Sequence, residues 1–182
     1  GPSLSFSGNF PAGALAAGAD EDRAYGLVKD PSNGHVFVVG QTSSAIGSYD
    51  GVLIHYDVAG NLVSSATYGL SPFPDGFRAV AQHTSGDLYI AGFVGLDAGA
   101  GTSDGLMLRV SSTTLALVSS ATVNMGALDY LEAVVAHPNS DVYFAGHHLN
   151  GGGDFEIDLY RVSPGTMGPL AQVGWLGTGL NH

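Results

Sequence analysis

Apolar residues fall in short runs along this chain, without the spacing of an amphipathic helix. Val36-Phe-Val-Val-Gly40, Leu88-Tyr-Ile-Ala-Gly92 and Val142-Tyr-Phe-Ala-Gly146 are each apolar at consecutive positions and end on glycine. A half-exposed strand alternates apolar with polar residues, so an unbroken run predicts a strand buried on both faces. Each run follows a turn, in order Asp30-Pro-Ser-Asn-Gly34, Gln82-His-Thr-Ser-Gly86 and Ala136-His-Pro-Asn-Ser140. Before the turns stand Gly26-Leu-Val, Arg78-Ala-Val and Glu132-Ala-Val. After each run a Gly-containing loop leads to Asp50-Gly-Val-Leu-Ile or Asp104-Gly-Leu-Met-Leu. The third copy reads Asp154-Phe-Glu-Ile-Asp-Leu, and its inserted residues leave either Asp154 or Glu156 at the equivalent place.

The hexapeptide Leu62-Val-Ser-Ser-Ala-Thr67 recurs letter for letter at Leu117–Thr122, and Leu170–Trp175 closes the third copy. Self-similarity at a period of about 50–55 residues marks a repeat architecture. Each unit offers four short strands, a to d, near residues 24–29, 36–41, 51–56 and 61–68 in the first copy, separated by turn chemistry such as Pro-Ser-Asn-Gly and Val-Ala-Gly-Asn. The expected fold is all-β, a β-propeller segment of three four-stranded antiparallel blades, because doubly buried short strands suit small sheets stacked between neighbours. A β-trefoil, also three four-stranded units, is the alternative. One domain spans 4–182, with repeats at 22–69, 75–124 and 129–177. Residues 4–10 align with the d strands as an extra outer strand, and Gly1-Pro-Ser3 reads as a protease-cleavage scar.

Two stretches carry a family resemblance. Asp22-Arg-Ala-Tyr-Gly-Leu-Val-Lys-Asp-Pro-Ser-Asn-Gly-His-Val-Phe-Val-Val-Gly-Gln-Thr42 and Asp50-Gly-Val-Leu-Ile-His-Tyr-Asp-Val-Ala-Gly-Asn-Leu-Val63 resemble the unit of the SBBP-type β-propeller repeats. The resemblance is strongest in the first copy and weakest in the third, which lacks the Asp-Gly pair before strand c. It implies a propeller fold and an exported or cell-surface setting of bacterial type, and no particular activity. Three blades are fewer than the four to eight that close a propeller, so the resemblance also implies further blades of a longer chain or a homodimer.

Composition narrows the partners. The chain of 182 residues has a net charge of −11, with only five Lys and Arg together. Nucleic-acid binding needs cationic side chains to displace phosphate counterions, so nucleic acid is excluded as an expected partner. Insertion into a membrane is not expected, since no apolar run approaches the ~20 residues of a spanning helix. Cysteine is absent, which removes disulfides and thiol chemistry. Protein or glycan ligands and cations remain.

In a propeller the d–a and b–c loops share one face, and here these are the long ones. A rigid scaffold usually carries binding on such loops. The candidate ligand-binding residues there are Tyr49, Asp97, His147, His148 and Asp154. His147 and His148 are adjacent, so on a strand they point to opposite faces and make an awkward chelate. Asp50, Asp104 and Asp154 offer oxygen ligands for Ca²⁺, although no EF-hand loop accompanies them. A turn-fixing role for the Asp before strand c is the competing reading. His83 and His137, in the a–b turns, read as exposed. Arg109 and Arg161 occupy one position of strand c, where the first copy has His55, which points to a structural role between blades.

No motif in the sequence argues for catalysis. The expected function is a non-catalytic binding or assembly module of an exported or cell-surface protein. The alternatives are a polysaccharide-active hydrolase or lyase on a propeller scaffold, and a structural spacer or self-assembling array.

Overall fold

A computed structural model describes residues 22–43, 49–70, 72–96, 101–138, 141–165, 167 and 169–175. The expected outer strand at 4–10 and the candidate Asp97 lie outside them. The described residues form twelve β-strands and no helix: β1 (Arg23–Lys29), β2 (Val36–Ser43), β3 (Tyr49–Tyr56), β4 (Leu62–Tyr68), β5 (Asp75–Gln82), β6 (Leu88–Gly95), β7 (Ser103–Val110), β8 (Leu117–Val123), β9 (Asp129–Ala136), β10 (Val142–Leu149), β11 (Phe155–Val162) and β12 (Pro169–Trp175).

Each repeat folds on itself into one four-stranded antiparallel sheet, ordered β1-β2-β3-β4, β5-β6-β7-β8 and β9-β10-β11-β12. The a–b turns of the first two repeats reverse on a glycine at positive φ, Gly34 and Gly86, a conformation open to a residue without Cβ. The two copies of Leu-Val-Ser-Ser-Ala-Thr are β4 and β8, paired in the same register to β3 and β7. The register also settles the third copy. Asp50 faces Thr42 and Asp104 faces Val94, while His148 faces Glu156, so Glu156 holds that position.

The sheets stack face to face, with sheet two between sheets one and three. One apolar cluster joins sheets one and two through Phe37, Val39, Leu53, Tyr68, Phe77, Leu88, Ile90, Leu106 and Leu108. A second joins sheets two and three through Tyr89, Ala91, Met107, Leu131, Phe144, Tyr160 and Val162. Successive residues of β6 feed opposite clusters, and every residue of that strand is buried. The unbroken apolar run in sheet two thus has the two-sided cover expected of it.

In strands β1, β5 and β9 a β-bulge interrupts the pairing, at Tyr25, Arg78 and Glu132. The bulge swings a carbonyl of the a strand onto the glycine that ends each apolar run. A methyl group on Gly40, Gly92 or Gly146 would overlap the carbonyl oxygen of Arg23, Gly76 or Tyr130. The three bulge residues themselves line up across the stack. The Arg78 guanidinium lies 4.2 Å from the centre of the Tyr25 ring and 3.9 Å from the Glu132 carboxylate. Neither the bulge nor this contact had a signature in the sequence.

Gly92→Ala is expected to destabilise the fold by about 1–3 kcal/mol, the usual cost of overpacking against backbone that cannot yield. Gly151→Ala, in open space, is the control and should leave the melting temperature unchanged. Equal melting temperatures for the two variants would show that the close approach at Gly92 is not a constraint.

Candidate functional site

The residues singled out on the long loops are spread over the three sheets. Tyr49 and Asp50 begin β3, Asp104 lies in β7, and Asp154 lies in the turn before β11. Burial raises the carboxyl pKa of Asp50, and burial followed by the charge of Asp129 raises that of Asp104. Asp104 Oδ1 accepts a bond from Asn124 Nδ2 at 2.9 Å, and the amide of Asp154 donates to Asn150 Oδ1 at 3.0 Å. Among the described residues no three His, Asp or Glu side chains are grouped to hold a metal ion. Each repeat places its acid in its own sheet, so the stack separates Asp50, Asp104 and Asp154.

A different aspartate, the one heading each a strand, anchors the loops. Asp75 Oδ2 accepts the amide of Leu70 at 2.7 Å, Asp129 Oδ2 accepts that of Met125 at 3.0 Å, and Asp22 Oδ1 accepts the hydroxyl of Thr42 at 2.7 Å.

His147 and His148 point to opposite faces of β10. His147 lies on the outer face of sheet three, its ring centre 5.6 Å from that of Tyr130 and 5.1 Å from that of Phe155. His148 is buried between sheets two and three, with Nδ1 2.7 Å from Asp158 Oδ2 and Nε2 3.5 Å from Glu156 Oε2. At the registers of His148, Asp158 and Tyr160, sheet two carries Val94, Leu106 and Leu108. Polar groups have therefore replaced the apolar pattern of the repeat inside one joint. Asp129 Oδ1, Asp158 Oδ1 and the Tyr160 hydroxyl are all buried without a partner. Burial, with the charges of Asp158 and Asp129, pushes the Tyr160 pKa upward.

A concavity lies at the opposite end of the stack, between the turns of repeats one and two. It is an open groove of about 560 Å³ lined by Asp30, His35, His55, Gln82, His83 and Ser112 among others. Comparison of the two joints explains why it is there. Between sheets two and three, Arg109 pairs with Asp87 through Nε at 2.7 Å and reaches across with Nη1 to the carbonyl of Pro164 at 2.8 Å. The Tyr89 hydroxyl donates to the same carbonyl at 3.2 Å. Those bonds close the joint and give Arg109 the structural role between units expected of it. Between sheets one and two the matching residues are His35, His55 and Phe37, which are shorter or lack the donor, and the gap to Ser112 stays open.

The groove is polar above an aromatic floor. His55 stacks on Phe37 with ring centres 4.4 Å apart, and His35 Nδ1 lies 2.8 Å from His55 Nε2. Only one proton fits between those nitrogens, so one ring donates and the other accepts. Burial, and then the neighbouring His35, hold the His55 pKa below that of a free imidazole. Asp30 accepts from the Ser32 hydroxyl at 2.6 Å and from Gln82 Nε2 at 3.1 Å, bonds that keep it ionised. His83 is buried, against the exposed turn position expected of it, and its Nδ1 accepts the amide of Ser85 at 3.1 Å. His83 Nε2 is buried without a partner. His137, the matching residue of repeat three, is exposed. Sequence reasoning missed this site because its signal was a departure between repeats, at 37 and 55 within strands that otherwise match and at 35 just before one of them.

No protein-family model matches the chain, and no curated protein matches it. Among solved structures it resembles a Pyrococcus horikoshii acylaminoacyl peptidase, with a TM-score of 0.52 at 8% identity over 86% of this chain. The chain spans only 26% of that protein's length. At this identity the likeness concerns fold alone.

Two outcomes follow from the buried groups. His148→Val leaves the Asp158 carboxylate buried without its partner and is expected to cost about 3–5 kcal/mol, whereas the double variant His148→Val/Asp158→Leu, which restores the residues of sheet two, should recover most of that loss. Chemical denaturation of the three proteins checks this, and a double variant no more stable than the single one would refute it. The His pair sets a pH dependence. The fold favours neutral His55, so its contribution is complete above the unfolded imidazole pKa of about 6.5 and is lost as pH falls through the lower folded value. Melting curves from pH 8 to 5 should show a fall below about pH 6.5 that is reduced in His55→Phe; identical profiles would remove His55 as its origin.

Proposed function

We propose that the chain is a three-blade section of a β-propeller, of the SBBP-repeat type, that acts as a non-catalytic binding module. The groove between the turns of repeats one and two is its ligand site. Three observations support the propeller reading. Every sheet is made from a single repeat, the a strands β1, β5 and β9 neighbour one another through the stack, and the middle sheet is covered on both faces. The SBBP resemblance, with the exported or cell-surface setting that it implies, rests on the sequence units quoted above. Among the described residues no helix is long and apolar enough to cross a membrane.

The observation that carries the binding role is the open joint itself. The repeat can close that joint with Asp, Arg and Tyr, and does so between sheets two and three. Between sheets one and two it places two histidines and Phe37 instead, and leaves about 560 Å³ lined with hydrogen-bonding groups. Concave sites with a few fixed polar groups over an apolar base are where small ligands bind. The imidazoles, the Asp30 carboxylate and the hydroxyls of Ser32 and Ser112 give both donors and acceptors without a cluster of positive charge. That chemistry suits an uncharged polyhydroxylated ligand, such as a glycan, better than a phosphate.

A panel of neutral oligosaccharides followed by the imidazole resonances tests the reading. A binding sugar should shift the signals of His35, His55 and His83 at pH 7.5. The triple variant His35→Asp/Phe37→Tyr/His55→Arg, which copies the closed joint, should stay folded and lose the sugar-induced shift of the His83 signal that it retains. Shifts confined to Tyr49, His147 and the 150–154 turn would move the ligand to the long loops. An absence of shifts throughout would remove the glycan reading.

A further inference from the structure

We propose that Arg78, with Tyr25 and Arg23 beside it, forms a binding site for the carboxylate of an acidic sugar. The site lies on the a strands, toward the ends of β1 and β5 remote from the histidine groove, and does not depend on that groove. The chain sets four arginines and one lysine against sixteen acids. Arg109 and Arg161 are each fixed by an aspartate of their own repeat, Asp87 at 2.7 Å and Asp141 at 2.8 Å from Nε. The other two arginines, Arg23 and Arg78, both hydrogen-bond the Tyr25 hydroxyl. A chain of net charge −11 thus brings two of its five cationic residues to one phenol.

The β-bulges bring these groups together. A bulged residue leaves the alternation of its strand, which re-aims its side chain. Tyr25, Arg78 and Glu132 are the bulge residues of neighbouring a strands, so they meet across sheets. The Arg78 guanidinium carbon lies 4.2 Å from the centre of the Tyr25 ring and 5.1 Å from that of Phe93. Ring contacts hold a guanidinium by its faces and leave its in-plane N–H groups to bond acceptors. Those donors outnumber what a single phenol can take.

Among the described residues the carboxylate at Arg78 is that of Glu132, with Oε2 3.9 Å from Nε. That separation exceeds a hydrogen bond, unlike the aspartate contacts of Arg109 and Arg161. The Glu132 side chain is 46% exposed and that of Arg78 21%, so a carboxylate from solvent can take the nearer place. Tyr25 is 41% exposed. Burial alone would raise its pKa, but the hydrogen bonds and charges of Arg23 and Arg78 outweigh burial and hold the pKa below that of a free phenol. The local field at the hydroxyl is therefore cationic, in a protein whose overall field repels anions.

A guanidinium fork takes a carboxylate or a phosphate in paired hydrogen bonds. The charge of the chain favours the group that carries less, a monovalent carboxylate. The Tyr25 ring beside it offers apolar surface on the scale of a sugar ring, with a hydroxyl at its edge. A uronic acid carries its carboxylate on such a ring, whereas an acidic peptide carries it on a flexible side chain that must be ordered on binding. The site therefore fits an acidic sugar, where the histidine groove fits an uncharged one.

Calorimetric titration of the whole chain with a uronic-acid oligosaccharide near neutral pH tests the proposal. The sugar should bind, its methyl ester should bind about tenfold more weakly or less, and added salt should weaken the acid form alone. Arg78→Gln should reduce affinity by about tenfold or more, the loss expected for a charged hydrogen bond. Glu132→Gln, which removes the carboxylate already near the guanidinium, should tighten binding; a merely structural contact between the two gives no such gain. Arg161→Gln and the triple groove variant should leave the affinity unchanged, which separates this site from the groove. Melting curves accompany each variant, and Glu132→Gln decides the matter if Arg78→Gln fails to fold. Lack of binding by wild type and Glu132→Gln alike, or affinity that ignores Arg78→Gln, would overturn the proposal. Equal binding of the methyl ester would rule out carboxylate recognition, and equal binding of poly-glutamate through Arg78 would overturn the assignment to a sugar.

Discussion

The structure depends on how closely one small sheet can be laid on the next. A four-stranded meander has two faces and too few residues for a core of its own, so its apolar side chains must be buried by neighbours. In sheet two both faces are apolar and both are covered. The approach is set by backbone: the bulged a strand puts a carbonyl where the glycine ending each apolar run has no Cβ. That contact fixes the offset of strand a, and strand a carries the residue, Phe77 or Leu131, that fills the preceding sheet. A methyl at the glycine displaces the bulge, and the bulge displaces the packing residue of the joint.

Once the spacing is fixed, chemistry at the two ends of a joint is free to vary. At the turn end, an Arg held by an Asp spans the gap to a carbonyl in the next repeat, and an imidazole in the same register does not. The difference is one of reach and donor count. Guanidinium uses its fork on the carboxylate and still has an N–H for the neighbour, while the His35–His55 pair spends its contact internally. A groove therefore appears without any inserted loop, from two residues inside regular strands, Phe37 and His55, and one just before a strand, His35.

Much of the architecture was legible in the sequence. The recurrence of Val36–Gly40 in Leu88–Gly92 and Val142–Gly146 placed the b strands, and the two-sided cover their unbroken apolar character implies is complete in β6, while in β10 alternate residues are only half-buried. The twin hexapeptides located β4 and β8. What the sequence hid was parity and register. Whether Asp154 or Glu156 matched Asp104 turned on which residue pairs with His148, a fact of hydrogen bonding across two strands. His83 reads as an exposed turn residue from its neighbours Gln82 and Thr84, yet the stack buries it. The long loops drew attention because they are irregular, but the three acids on and beside them belong to separate sheets, and His147 and His148 look in opposite directions.

The polar groups of functional interest lie within the joints, and the energetics explain why composition does not reveal them. A loop residue is solvated in the folded and unfolded chain alike, so its presence costs little. Asp158 and His148 are inside an apolar contact where the same repeat elsewhere has Leu106 and Val94, and desolvating such a pair costs several kcal/mol before their mutual attraction is counted. The same joint also holds the apolar cluster of Phe144, Leu131, Tyr89 and Met107, whose burial offsets that cost. A repeat is well suited to tolerating it, since each joint contributes separately to the stack and one can be weakened while its neighbour keeps the fold. The chain uses this latitude twice, with an open histidine groove in one joint and a buried His–Asp pair in the other, at opposite ends of the middle sheet.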